Sequence, residues 1–381
     1  MGDTKGGVLK VLGYNQKDVR SRNKRLVLTI LREEGALPKV DIARLTGLSS
    51  QAVSVITRGL ERDGLIERGE RQRGKVGQPS IPMSLARQGA YFVGLEIGKT
   101  QAEIVFVNMV GEILYRADYR EGRLTPKSVC AFANEAIESF LSGSDNSRST
   151  KVLGAGVVFS QFRPSEAPEA WLEEMSQLGD NHDFSVFFGY ESTCACNAEL
   201  IFGRSNLPRD FLYIYVGDTI GGGVVLNGSL YRGRDSKAGS IGFFPIDGQD
   251  AEGRLSDIGS LKSLRYLTTV RGHDARWQIS DREDWGFPEG AVSGWLDEAA
   301  PAMAHAIVGA AAIFEFSNVV IDGPLSEGLR RRIVDKVRAS VGKRSFDYLS
   351  KPKILPGSLG NDAVPLGAAS LPISRLFMLE G

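Results

Sequence analysis

The 381-residue chain is poor in the residues that build most disulfide and metal chemistry, with three cysteines and three histidines. Cys130, Cys194 and Cys196 are too few and too unevenly placed for a disulfide framework or a four-thiolate zinc site. Cys194-Ala195-Cys196 suggests a metal pair, yet His182, His273 and His305 stand in no ligand spacing with it. No run approaches the roughly 20 apolar residues of a membrane span. The first 18 residues lack the apolar core of a signal peptide. These absences predict a cytoplasmic chain with no metal or other cofactor. Net charge is missing too, with 46 basic residues against 46 acidic ones.

That balance hides an asymmetry. Up to Gln88 there are 17 Lys and Arg against 9 Asp and Glu, a net of +8, and the remainder carries 29 against 37, a net of −8. A basic head on an acidic body suggests a nucleic-acid module joined to something else, the plainer alternative being a solvated basic face. Apolar content of 42% and charged content of 24% exclude wholesale disorder, and the length suits two or three domains.

In the head, residues 1–18 read as a flexible arm and 19–88 as a small helical domain. Leu26, Val27, Ile30 and Leu31 mark a helix over 19–34 that stops at Gly35. Residues 38–46, with Ile42, Ala43 and Leu45 inward, form a short second helix ending at Gly47. Ser49 caps a third, over 50–63, whose inner face is Val53, Ile56 and Leu60. Its other face carries Ser50, Gln51, Ser54, Thr57 and Arg58. Helix, glycine turn and capped helix is the helix-turn-helix arrangement, which sets polar side chains of the second element against base edges in a major groove. Gln51 suits adenine and Arg58 suits guanine or phosphate. A strand from 64, a basic loop over 69–78 and a strand over 80–84 complete a wing. From it Arg68, Arg71, Arg73, Lys75 and Gln78, together with Ser49, are candidate DNA contacts. A winged helix used for protein contact is the alternative.

The body repeats itself. Strands in hairpin order at 92–118 and again at 212–231 each lead into helices and further strands. Within the second set, Gly221-Gly222-Gly223 reads as a turn that either cradles phosphate or simply tightens a hairpin. Asn227-Gly228 reads as a hairpin turn.

Specific segments carry a resemblance covering nearly the whole chain. They are NKRLVLTILREEGALPKVDIARLTGLSSQAVSVITRGLERDGLIE in the head and VGLEIGKTQAEIVFVNMVGEIL, GGGVVLNGSLYRG, AGSIGFFPI and NDAVPLGAAS in the body. Together they resemble the ROK family of repressors and sugar kinases. The resemblance implies an α/β chain, with an N-terminal winged helix-turn-helix followed by a two-lobed body of actin-like ATPase (ribonuclease H-like) fold. Lobe 1 would span 89–188, with a closing helix at about 368–381 returning to it, and lobe 2 would span 189–367. It implies operator DNA as partner, a sugar or sugar derivative as effector, and a homodimer or homotetramer.

The same resemblance implies lost catalysis. Where family kinases carry Asn-Asp-Ala-Asn, with the aspartate as base, this chain has Tyr190-Glu191-Ser192-Thr193. Glu191 keeps the carboxylate one methylene further out, and a displacement near 1 Å can lower a rate about a hundredfold. The family's Gly-Glu-x-Gly-His becomes Gly239-Ser240-Ile241-Gly242-Phe243, and its zinc cysteines fall on 253–262, which hold no ligand, leaving Leu255, Ile258 and Leu261 to hold that loop by packing. Lys99 and Asp218 stand where phosphates would lie. The expectation is a non-enzyme whose cleft offers Ser160, Trp171, Tyr190, Glu191, Ser240, Phe243 and Lys262 to an effector, the aromatics serving either as stacking platforms or as core; the alternatives are an active sugar kinase with an appended DNA-binding head and a regulator controlled by a protein partner.

Overall fold

The computed structural model describes residues 16–71, 81–121, 123–143, 152–160, 168–203, 207–234, 236–246, 253–270 and 287–379. They fall into two compact units, one of Met1–Leu85 with Phe377–Leu379 and the other of Ala86–Leu376.

The first unit has α1 (Gln16–Glu34), β1 (Leu37–Pro38), α2 (Lys39–Thr46), α3 (Ser50–Arg62), β2 (Ile66–Arg68) and β3 (Pro82–Leu85). Gly47 ends α2 with φ 70°, a conformation that favours glycine. The Ser49 side chain accepts from Ala52 N at 3.2 Å, capping α3. A three-stranded antiparallel sheet of order β1-β3-β2 backs the helices. Val27, Leu28, Leu31, Ile42, Val53, Leu60, Ile66 and Met83 fill the core. Leu45, expected inward, is exposed on α2, as is Val40. The chain's last described residues belong to this unit, where Leu379 N donates to Thr29 Oγ1 at 3.1 Å. The closing helix is thus body only as far as Leu376.

The second unit contains two five-stranded sheets of one topology. The first comprises β4 (Tyr91–Ile97), β5 (Gln101–Asn108), β6 (Ile113–Arg120), β7 (Val152–Phe159) and β8 (Ser185–Tyr190), in the order β6-β5-β4-β7-β8. The second comprises β9 (Phe211–Val216), β10 (Ile220–Leu226), β11 (Ser229–Tyr231), β12 (Asn318–Asp322) and β13 (Lys353–Pro356), in the order β11-β10-β9-β12-β13. In each, three strands run antiparallel as a meander and two follow in parallel. The parallel strands require crossovers, supplied by α4 (Pro126–Ser142) and α5 (Pro168–His182) in one half. In the other they are α7 (Leu255–Gly259), α8 (Leu261–Val270), α9 (Glu289–Ala311) and α10 (Glu327–Gly342).

Two remaining helices, α6 (Glu191–Phe202) and α11 (Ala363–Phe377), join the halves. One buried cluster draws Val158 from β7, Cys194 and Cys196 from α6, Phe211 and Tyr213 from β9, Val320 from β12 and Ala368 from α11. Asn197 on α6 donates to Ser370 and Ser374 of α11 at 2.7 and 2.9 Å. On the first sheet α11 sits backbone to backbone. A Cβ on Gly156 would lie 1.9 Å from the Ala368 carbonyl oxygen, and one on Gly94 would lie 2.3 Å from that of Pro365.

The triplet Gly221-Gly222-Gly223 corrects a sequence expectation. It is not a turn but lies within β10, paired residue by residue with β9, while the turn is made by Gly217-Asp218-Thr219. Glycine is required because neighbours press on the strand: added Cβ atoms would meet Ser192 Oγ at 2.4 Å, Tyr213 O at 2.4 Å and Cys196 Sγ at 2.6 Å. Asn227 and Gly228, at φ 54° and 75°, form the expected hairpin turn.

Candidate functional site

The head presents α3 outward. Val53, Thr57 and Leu60 are the buried positions of the helix. Thr57, expected at the DNA face, is 0% exposed and donates its hydroxyl to the Val53 carbonyl at 2.8 Å, so it belongs to the core. The actual inner face is 53, 57 and 60, with Ile56 only partly buried. The outer face is therefore Gln51, Val55, Arg58 and Arg62, at the i, i+4, i+7 and i+11 spacing that lines residues along one side of a helix. These four, with Asn23, Lys24 and Ser49, line a concavity of about 880 Å³. Arg62 and Val55 were absent from the sequence-based set, although the 51/55/58/62 spacing already held them.

Ser50 is exposed at the start of α3, and Ser54 is half-buried, its carbonyl accepting from Arg58 Nε at 3.1 Å. Arg68 pairs with Glu61 at 2.6 Å rather than reaching outward unaccompanied. The hydrogen bond from Arg68 holds the half-buried Glu61 carboxyl below its usual range, and one from Lys24 at 3.1 Å does the same for Asp63. Arg71 is exposed, while Arg73, Lys75 and Gln78 lie outside the described residues.

In the body, predicted residues stand at the start of α6 and at the ends of strands β4 and β7. Ser160, buried just past β7, donates to Glu96 at the end of β4 at 2.6 Å. Glu191 opens α6, partly buried. Asp218, in the β9–β10 turn, pairs with Arg265 on α8. Burial pushes the phenol of Tyr215 on β9 well up, and the carboxylates of Glu191, Glu96, Asp322 and Asp218 push the same way. Asp322, fully buried at the end of β12, is held by Arg330 at 2.8 Å and by the Gly360 backbone N–H at 3.2 Å.

The remaining predicted ligand positions separate. Trp171 is a correction: it lies on α5, 6% exposed, edge-on to Phe159 within the first-lobe core. Its companions Met175 and Leu178, at helical spacing, were the legible signal that this segment was a helix packed inward. Phe243 is 61% exposed with the Arg254 guanidinium over its ring, which makes it a surface residue. Tyr190, 44% exposed, stands at the N-cap of α6. Ser240 is exposed and donates to the Lys237 carbonyl at 2.7 Å, and Lys262 is exposed on α8.

The residues at the family's zinc position do not fit zinc. Leu255 and Leu261 are fully buried in the second-lobe core and Ile258 packs against it, while Asp257 accepts from Arg254 N in a helix-capping box. Among the described residues no group of three or more His, Cys, Asp or Glu is placed to hold a metal ion. No described helix is long and apolar enough to cross a membrane.

A winged helix-turn-helix joined to a duplicated sheet-and-helix body of the actin-like ATPase type defines the class. The ROK family model matches residues 92–375 and a winged helix-turn-helix DNA-binding model matches 20–67, and the chain belongs to the ROK family. It is similar to the xylose repressor of Caldicellulosiruptor bescii, 22% identical over 95% of this chain and 98% of that one. It is also similar to the DNA-binding transcriptional dual regulator NagC of Escherichia coli, 21% identical over 69% of each. In fold it matches a crystal structure of a ROK family transcriptional regulator, a homologue of the E. coli MLC protein. That match has a TM-score of 0.72 and 19% identity over 94% of this chain and 97% of that one.

Proposed function

We propose that the chain is a DNA-binding transcriptional regulator, a repressor of carbohydrate uptake or catabolism genes, whose body is a non-catalytic effector-sensing and oligomerisation module. The observation that carries the reading is the outer stripe of α3, where Gln51, Arg58 and Arg62 stand exposed on a helix capped by Ser49 and seated on a buried core. Such a stripe offers amide and guanidinium donors to base edges and phosphates. The repressors among its relatives supply the carbohydrate link.

For the body, the Asp218–Arg265 pair supports a sensing role over phosphoryl transfer. The pair occupies the turn where the family resemblance places phosphates, and a phosphate there would have to displace the Asp218 carboxylate from its guanidinium. Tyr190, Glu191, Ser240 and Lys262 remain the candidate effector contacts. An effector would act by favouring one lobe arrangement and so changing how two heads of an oligomer meet their half-sites.

Titration of the full chain against duplexes selected from a random pool tests the first part. Gln51→Ala and Arg58→Ala should each weaken binding while thermal stability is retained, and unchanged affinity refutes the assignment. A thermal-shift panel of sugars tests the second, and sugar-dependent ATP turnover abolished by Glu191→Ala would overturn the non-catalytic reading.

A further inference from the structure

Val55 stands at the centre of the outer face of α3, and nothing in the fold accounts for it. It is 58% exposed, roughly opposite the buried positions Val53, Thr57 and Leu60. A β-branched residue lowers helix propensity, and an exposed one gains little from burial, so both local preferences oppose valine here. Positions that break local rules without a packing return are where function is expected. Its surroundings say which function. Gln51 precedes it by one turn, and Arg58 and Arg62 follow on the same side, so the one exposed aliphatic side chain of α3 is set within a row of donors, with the half-buried Ala52 and Ile56 beside it. Lys24 and Asn23 line the same concavity.

A cationic and amide-bearing row suits a polyanion that carries base edges. The apolar group on such a surface is the thymine C5-methyl, which only the major groove displays. We propose that Val55 is a specificity-determining residue that packs its side chain against a thymine methyl group in the major groove. The inference rests on the DNA-binding reading above. Val55 lies four residues beyond Gln51, about 6 Å further along the helix axis. The thymine therefore falls roughly two base pairs from the base that Gln51 contacts, given a rise of about 3.4 Å per pair.

The test replaces thymines with deoxyuridine one at a time in a duplex selected from a random pool by the full chain. That change removes one methyl group and keeps every base pair. The expected result is one position per half-site where deoxyuridine weakens wild-type binding about fourfold, the worth of one buried methyl group. With Val55→Ala the same position should show no further loss. Val55→Ile, which keeps the apolar contact, should retain the discrimination, and both variants should melt with wild type. If a sequence is selected and bound but no thymine shows a methyl effect that Val55→Ala removes, the inference is overturned while the DNA-binding reading stands. If no sequence is enriched, or Arg58→Ala with Arg62→Ala leaves binding intact, both are overturned.

Discussion

Arg265 on α8 reaches across to Asp218 in the β9–β10 turn, and the two side chains form an ion pair with about a quarter of each left exposed, 27% and 22%. The Nη1 atom of Arg265 is buried without a hydrogen-bond partner among the described residues. Asp218→Ala therefore strands a guanidinium already short of acceptors. Partial exposure places the expected loss below that of a fully buried pair, at about 1–3 kcal/mol. The double variant with Arg265→Met should be more stable than Asp218→Ala alone, and denaturant melts of the four proteins in a double-mutant cycle give the coupling directly.

Two glycines should respond oppositely to the same substitution. Gly156→Ala drives a methyl group into the Ala368 carbonyl, a backbone atom that cannot swing away, and should lower stability by several kcal/mol or prevent folding. Gly328, near the start of α10, has nothing within 4 Å of its missing Cβ. Gly328→Ala should raise stability by about 0.5–1 kcal/mol. Thermal unfolding of both variants is the check.

Thr57 and Arg62 should separate stability from DNA affinity. Thr57→Ala removes buried volume and a hydroxyl bonded within the helix, so it should lower the melting temperature. Once folded, it should leave the salt dependence of DNA binding unchanged. Arg62→Ala should leave melting nearly unchanged and reduce the slope of log affinity against log salt by about 1, provided Arg62 meets one phosphate.

Acid should loosen the head. Glu61 is held below its ordinary range chiefly by the hydrogen bond from Arg68, and Asp63 chiefly by that from Lys24. A carboxyl with a depressed folded pKa contributes its stability above the unfolded value and loses it as pH falls through the folded one, here below about pH 4. The head's unfolding midpoint should therefore fall in that window, and Arg68→Ala with Lys24→Ala should flatten the decline. Circular dichroism melts between pH 2 and 6 would show it.

The three cysteines should be silent in the native protein. Burial pushes the Cys194 thiol up to about 12 and raises those of Cys130 and Cys196. The thiolate is the reactive form, so a chromogenic disulfide reagent at pH 8 should titrate them only after denaturation. Rapid labelling of folded protein would contradict the burial.

The duplicated body was legible because its antiparallel meanders alternate apolar strands with recognisable turns, as at Asn227-Gly228. Glycine was the weak point. In Gly221-Gly222-Gly223 the residue that usually marks a turn marks instead a strand crowded by α6 and by the loop at Gly239, and only long-range packing distinguishes the two. On α3 the inner face is rotated by one position, because threonine at 57 can satisfy its hydroxyl on the preceding turn and so enter the core. Polar identity pointed outward, and helical periodicity would have pointed in. Trp171 failed in the other sense, since an aromatic considered alone suggests a platform, whereas its spacing to Met175 and Leu178 describes a helix face.

The seat of α11 on the first sheet has a mechanical side. Where main chain rests on main chain at Gly94 and Gly156, no rotamer is available to absorb a shift, so the joint behaves as a keyed shaft rather than a padded bearing. A displacement of β4 or β7 would turn α11 without backlash, and α11 would carry it to α6 through the bonds from Asn197 to Ser370 and Ser374.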